Sequence, residues 1–235
     1  EDGFVNAKFM SFSVRTLPKL GKIIPYETVV LHAPKAPWKV LVNGVEQKVT
    51  ARKSELPRWK GQDEWAINTE TPSDVVIFLE EPAAGLDDLA AQSAMRVVTS
   101  SEYSSDYCSP EWLAKQIKAE KNKEGATVVS SKAATGGIIN HAVIQMVAVR
   151  APAGTTAGVM NVSVPAGVTL WVNGAERKLL PVDPDNAKAG VSTAIEMTGD
   201  AAALITVRSG NAVPVTVAWK EKTQEAVPAA TPAAK

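Results

Sequence analysis

The chain has 235 residues, of which 45% are hydrophobic, and this length and composition predict one or two folded domains and not a disordered chain. It carries 25 basic and 25 acidic residues. Because no region has the basic excess of a nucleic-acid footprint, we expect no nucleic-acid partner. No apolar run approaches the roughly 18 residues of a transmembrane helix, so we expect no membrane span.

Short strands separated by turn residues dominate the first third of the chain. Asn43-Gly44 is the strongest turn signal, since both residues tolerate the positive φ of a type I′ hairpin. We therefore expect the segments before and after this turn to pair with each other. The predicted strands of this part are 7–15, 27–33, 38–43, 45–50, 64–70, 74–80 and 95–99.

The middle of the chain has a different pattern. Ser109 is a suitable N-cap, Pro110 suits the first helical position, and Glu111 suits the positive end of the helix dipole. These residues predict a helix over 110–123 within a linker at 100–137.

The β-rich pattern then returns as a second copy. The sequence LVNGVEQK at 41–48 is matched by WVNGAERK at 171–178, and the flanking strand segments match as well. We therefore predict an all-β fold with two tandem immunoglobulin-like β-sandwich domains. The first copy covers 5–99, the helix-containing insert 100–137, the second copy 138–220, and a flexible Ala/Pro tail 221–235.

Residues 162–174, with the sequence VSVPAGVTLWVNG, resemble the opening of PEGA-like surface modules, which are short bacterial β-sandwich units. Residues 30–44 repeat the pattern loosely. Neither copy has the Gly-x-Thr-Pro motif that follows in that family. The resemblance implies a non-catalytic interaction module outside the cytoplasm.

Catalytic and metal-binding patterns are missing from the sequence. His32 and His141 lie in separate copies, and neither belongs to a known nucleophile or metal motif. Cys108 follows Asp106 and precedes the predicted helix, yet no catalytic signature accompanies it. We therefore expect no enzyme, no catalytic residue, no metal site and no cofactor. The least favoured alternative is an enzyme that uses Cys108 or His141 at the domain junction.

An aromatic residue between two cations gives the best indication of binding. Trp59 lies between Arg58 and Lys60 in a loop, and Trp65 follows in the next strand. An exposed tryptophan beside cations can stack on a sugar or anchor a protein partner. These four residues are the candidate binding residues. In the competing interpretation, Trp59 folds back over the end of the sandwich or against the predicted helix.

Two duplicated sandwiches without a catalytic set are typical of structural proteins. We expect a non-catalytic structural or interaction protein of an extracytoplasmic or cell-surface assembly, with itself or other proteins as partners. The alternatives are a virion or filament subunit, structural or decorating, and a carbohydrate-binding module that binds a glycan. A periplasmic, cell-surface or secreted location is expected from the abundance of Ala, Val, Thr and Gly and from the Ala-Pro tail.

Overall fold

The structure is a computed structural model, and it describes residues 4–5, 8–14, 28–69, 72–99, 116–132 and 141–222. Antiparallel strands make up most of these ranges. The helical elements found there are two short 3-10 turns, Pro57–Trp59 and Ala187–Ala189. The prediction of an all-β, sandwich-like fold is confirmed.

The first sandwich consists of two sheets. Sheet A has the strand order β1-β2-β8-β4-β5 and sheet B the order β3-β7-β6. The strands are β1 (Phe4–Val5), β2 (Phe9–Val14), β3 (Thr28–His32), β4 (Lys39–Val42), β5 (Val45–Gln47), β6 (Thr50–Lys53), β7 (Asp63–Asn68) and β8 (Ser73–Phe78).

The second sandwich is larger. Sheet C has the order β15-β14-β18-β12-β9 and sheet D the order β10-β11-β19-β13-β17-β16. The strands are β9 (Ser93–Thr99), β10 (Ile117–Lys121), β11 (Thr127–Ser131), β12 (His141–Arg150), β13 (Ala157–Val164), β14 (Thr169–Val172), β15 (Ala175–Glu176), β16 (Leu180–Pro181), β17 (Val191–Thr198), β18 (Ala202–Ser209) and β19 (Val215–Glu221).

The internal repeat is visible in the strand order. In sheet A the order β2-β8-β4-β5 corresponds to β12-β18-β14-β15 in sheet C. In sheet B the order β3-β7-β6 corresponds to β13-β17-β16 in sheet D. Outside this shared unit, β1 lies beside β2 in the first sandwich and β9 lies at the corresponding place beside β12 in the second. The second sandwich also has β19, β11 and β10 beside β13. The duplicated unit therefore has seven strands, and among the described residues only β19, β11 and β10 have no counterpart in the other copy.

The two Asn-Gly turns are equivalent in detail. Asn43 and Asn173 have φ values of 51° and 54°, and the glycines after them have φ values of 78° and 84°. Asn43 Oδ1 accepts a hydrogen bond from the backbone N–H of Asp74, 31 residues further along the chain. Asn173 Oδ1 accepts one from the N–H of Leu204, also 31 residues further along. In both turns, asparagine adopts the left-handed backbone conformation and its side chain accepts a hydrogen bond from the neighbouring strand.

The structure corrects the helix predicted over 110–123. Residues 117–121 form β10, and the proposed helix start at Ser109 and Pro110 lies outside the described residues. β10 forms a hairpin with β11, because Asn122 Oδ1 accepts from the N–H of Glu124 and of Ala126 and Gly125 adopts a φ of 79°. Over 117–121 the predicted helix is therefore replaced by a strand that pairs in sheet D.

The strand predicted at 95–99 is present as part of β9, but it belongs to the second sandwich. The prediction placed it in the first sandwich, whereas β9 pairs with β12 in sheet C. Met95 is fully buried in the core between sheets C and D, and Ala94 faces sheet A. Alternation of apolar residues indicates a strand but does not show which strand it pairs with. The predicted domain boundaries at 99 and 137 therefore differ from the division of the strands between the two sandwiches.

The four sheets pack as one stack in the order B, A, C, D. Along β8, Val75 and Ile77 face sheet B, whereas Val76 and Phe78 face sheet C. Met146 and Leu204 of sheet C meet these residues from the other side. A third apolar cluster fills the space between sheets C and D. Both inner sheets are therefore apolar on both faces, and sheets B and D form the outer layers.

Arg150 links the two sandwiches at one end of this contact. Its guanidinium pairs with Glu81, which follows β8, and lies 3.4 Å from Asp200 Oδ1. It also lies over the ring of Trp38, 5.7 Å from the centroid. Gly85 N–H donates to the carbonyl of Arg150 at 3.2 Å. The ionic and hydrogen-bonding contacts of Arg150 therefore add to the apolar contact that joins sheets A and C.

Candidate functional site

The predicted binding loop joins β6 to β7 on outer sheet B. We call residues 54–62 the cationic loop. Ser54 N–H donates to the carbonyl of Gln62, and Gly61 N–H donates to the carbonyl of Ser54, both at 2.9 Å. Gly61 has a φ of 80°, which a side chain would disfavour. The loop is closed by its own backbone hydrogen bonds and presents Arg58 and Lys60 at the surface.

The structure brings three of the four candidate residues together. Arg58, Trp59 and Lys60 share the 3-10 turn and the residue after it. Trp65 lies on the opposite face of sheet B, where it packs against the core between sheets A and B. Its indole N–H donates to the carbonyl of Ala33 at 3.3 Å. Trp65 is therefore a packing residue in this structure.

Trp59 folds back onto the outer face of sheet B. Its ring stacks on His32, with the centroids 4.4 Å apart and an angle of 19° between the planes. The guanidinium of Arg58 lies over the same indole at 5.1 Å from the centroid. A sugar could therefore stack on Trp59 only by replacing contacts that the ring already makes. This geometry agrees with the interpretation in which Trp59 covers the sandwich.

Beneath Trp59 lies a row of three charged or titratable residues across the three strands of sheet B. The register places His32 opposite Glu64 and Glu64 opposite Arg52. Arg52 Nε donates to Glu64 Oε1 at 2.5 Å, and His32 Nε2 lies 3.7 Å from Glu64 Oε2. Glu64 is 4% exposed although it lies on the outer face of a sheet. Sequence patterns missed this row, because it depends on pairing across three strands.

The surroundings of Glu64 favour its charged form. Burial, the largest single influence, would raise the pKa of its carboxyl. Hydrogen bonds from Ser54 and Arg52, together with the charges of Arg52 and His32, outweigh burial and lower the pKa from its ordinary value of 4.5. Glu64 therefore anchors the cationic loop to the sheet as a carboxylate.

We expect Glu64→Gln to lower the stability of the protein at neutral pH. A lowered pKa in the folded state means that the unfolded chain takes up the proton first as the pH falls. The extra stability of the natural protein should be complete above about pH 4.5 and disappear as the pH falls through the lowered pKa of Glu64. Urea unfolding of both proteins between neutral and acidic pH measures this difference.

Arg52 provides the internal check on that prediction. Arg52→Met should destabilise the natural protein more than it destabilises the Glu64→Gln variant, because the amide cannot form the ion pair. A stability difference between the natural protein and Glu64→Gln that widens in acid would contradict the assigned role of Glu64.

Neither of the two residues considered for catalysis has a described side chain. Cys108 lies outside the described residues, and the side chain of His141 at the start of β12 is not described. Across the part of the chain that the structure describes, no group of three or more His, Cys, Asp and Glu residues could hold a metal ion. No helix among those residues is long and apolar enough to cross a membrane.

The fold and this loop define a duplicated, four-sheet β-sandwich protein with a cationic aromatic loop on one outer sheet. No protein-family model matches the chain, and no curated protein matches it either. A solved structure described as an anti-sigma factor domain-containing protein has 13% identity and a TM-score of 0.34, over 92% of this chain and 80% of that one. A second, from Clostridium clariflavum, has 10% identity and a TM-score of 0.31, over 91% and 79%. Similarity at this level does not establish a shared fold or a shared function.

Proposed function

We propose that the protein is a non-catalytic structural or interaction subunit of an assembly outside the cytoplasm. Its two sandwiches share one continuous apolar stack, which suits a rigid building unit. A virion or filament subunit is the form of this proposal in which the assembly is regular.

The observation that carries the proposal is a sheet edge in the first sandwich that has no partner strand among the described residues. In the second sandwich, β13 pairs with β17 on one side and with β19 on the other. Its counterpart β3 pairs only with β7 among the described residues. An open edge offers unpaired N–H and C=O groups, to which a strand of another chain can add. The repeat itself indicates what fits there: an alternating apolar strand such as Val215–Glu221.

Carbohydrate binding has less support than protein assembly. Stacking on a sugar requires a free aromatic face, and the ring of Trp59 contacts both His32 and Arg58. Trp65 faces the core of the sandwich.

The proposal is tested by fractionating the source cells or particles and measuring the native mass of the protein in each fraction. We expect it outside the cytoplasm and in complexes larger than a single chain. Recovery as a free monomer in the cytoplasmic fraction would contradict the proposal.

A pair of substitutions tests the open edge directly. Val30→Lys places a charge on edge strand β3, and such charges block strand addition. Ala66→Lys places the same charge on the residue that pairs with Val30, but on central strand β7. We expect Val30→Lys to reduce the fraction of the protein in large complexes and Ala66→Lys to leave it unchanged, with folding of both confirmed by circular dichroism. Equal behaviour of the two variants would exclude β3 as the docking edge.

A further inference from the structure

We propose that two copies of this chain associate head to tail, with the cationic loop of one copy against an anionic loop of the next. The anionic loop, residues 180–186, consists of β16 and the residues between it and the short 3-10 turn that precedes β17 in sheet D. It occupies the same place in the second copy of the repeat as the cationic loop does in the first. This inference rests on the proposed role in assembly and names the partner as a second copy of the chain.

Exposed apolar side chains mark both loops. Four large hydrophobic side chains of the described residues are exposed by 49% or more, and three of them lie in these loops. Leu56 of the cationic loop is 50% exposed, whereas Leu180 and Val182 of the anionic loop are 60% and 49% exposed. Exposed apolar side chains that lie close together favour burial against a partner.

The charges beside these apolar groups are opposite. Arg58 and Lys60 accompany Leu56, and they outnumber Glu55 of the same loop. Asp183 and Asp185 accompany Leu180 and Val182, and they outnumber Lys188, which lies in the short 3-10 turn directly after the loop. Within the described ranges no ion pair engages these four charges. By contrast, the neighbours Arg52 and Lys53 are paired with Glu64 and Asp63 in the same chain.

Both loops are held in shape before any partner binds. The N–H of Val182 donates to the carbonyl of Gly190 at 3.0 Å, as Ser54 does to Gln62 in the cationic loop. Asp183 Oδ1 accepts from the N–H of Asp185 at 3.0 Å. Preformed loops lose less conformational entropy on association.

The position of the loops requires the contact to be intermolecular. The cationic loop belongs to sheet B and the anionic loop to sheet D, which are the opposite outer layers of the stack. They cannot reach each other within one molecule. A contact between two different surfaces is heterologous, so each dimer leaves one loop of each kind free. Such contacts build an open chain or a closed ring.

Charge reversal with mixing tests the proposal. Arg58→Glu/Lys60→Glu gives a chain with two anionic loops, and Asp183→Lys/Asp185→Lys gives a chain with two cationic loops. Sedimentation velocity over a concentration series should show that the natural chain associates and that added salt weakens association. Each variant alone should associate at least about tenfold more weakly, because like charges then meet. An equimolar mixture of the two variants should restore association.

The matched control is Lys118→Glu/Lys123→Glu, which changes net charge as much as the first variant does but on exposed residues of the β10–β11 hairpin. It should associate like the natural chain. The inference is overturned if the purified chain stays monomeric, if the loop variants associate normally, or if the mixture does not recover. Large complexes in the source fractions that are insensitive to loop charge would overturn this inference and leave the proposed function in place.

Discussion

Phe78→Ala is expected to destabilise the protein by about 3–5 kcal/mol, the usual cost of removing a buried phenylalanine from a core. Phe78 is fully buried at the contact of sheets A and C. Its ring meets Trp38 edge to face, with the centroids 6.0 Å apart. Alanine removes this contact and leaves a cavity between the two sandwiches. Urea unfolding followed by tryptophan fluorescence measures the change in the free energy of unfolding.

The same experiment tests whether the two sandwiches unfold together. We expect the natural protein to unfold in a single transition. Because the cavity lies between the sandwiches, we expect the transition of the variant to be broader or divided. Val45→Ala is the control, since Val45 is 67% exposed and its truncation should change stability by less than about 0.5 kcal/mol. A loss below about 1 kcal/mol for Phe78→Ala would contradict a tight contact between sheets A and C.

The second large effect is a loss of stability expected on replacing glycine in the Asn-Gly turns. The two glycines occupy equivalent positions of the repeat and can therefore be compared directly. Gly44 and Gly174 occupy the same turn position with φ values of 78° and 84°. Alanine at either position should cost about 1–2 kcal/mol for the left-handed conformation. At Gly174 an added Cβ would also lie 2.6 Å from Cβ of Asp74 in the first sandwich, whereas at Gly44 it would meet nothing within 4 Å.

We therefore expect Gly174→Ala to be more destabilising than Gly44→Ala by a further 1–3 kcal/mol or so, the usual cost of overpacking. Thermal or urea unfolding of both variants gives the difference, in which the shared backbone strain cancels. Equal losses in the two variants would mean that the second hairpin does not contact the first sandwich.

Local sequence was sufficient for elements that depend on neighbouring residues. The two Asn-Gly turns were predicted because Asn43 and Asn173 tolerate positive φ, and both turns are present. The helix over 110–123 was wrong at residues 117–121, because the N-cap signal of Ser109 says nothing about the sheet that these residues join.

The candidate site was only partly predictable. Arg58, Trp59 and Lys60 were found because an aromatic residue between cations is a local pattern. Trp65 was grouped with them although strand alternation places it on the other face of sheet B. The row of His32, Glu64 and Arg52 went unnoticed, because three residues far apart in sequence become neighbours only through strand register.

The sequence by itself determined the all-β class, the duplication and its two tight turns, since these follow from residue periodicity and backbone preference. Only the tertiary structure decided that β9 joins the second sandwich, that sheets A and C pack face to face, and that the equivalent loops lie on opposite outer layers. The physical reason is that a strand pattern specifies which side chains are apolar but not which strand satisfies its hydrogen bonds. Burial of both faces of the inner sheets selects the partners.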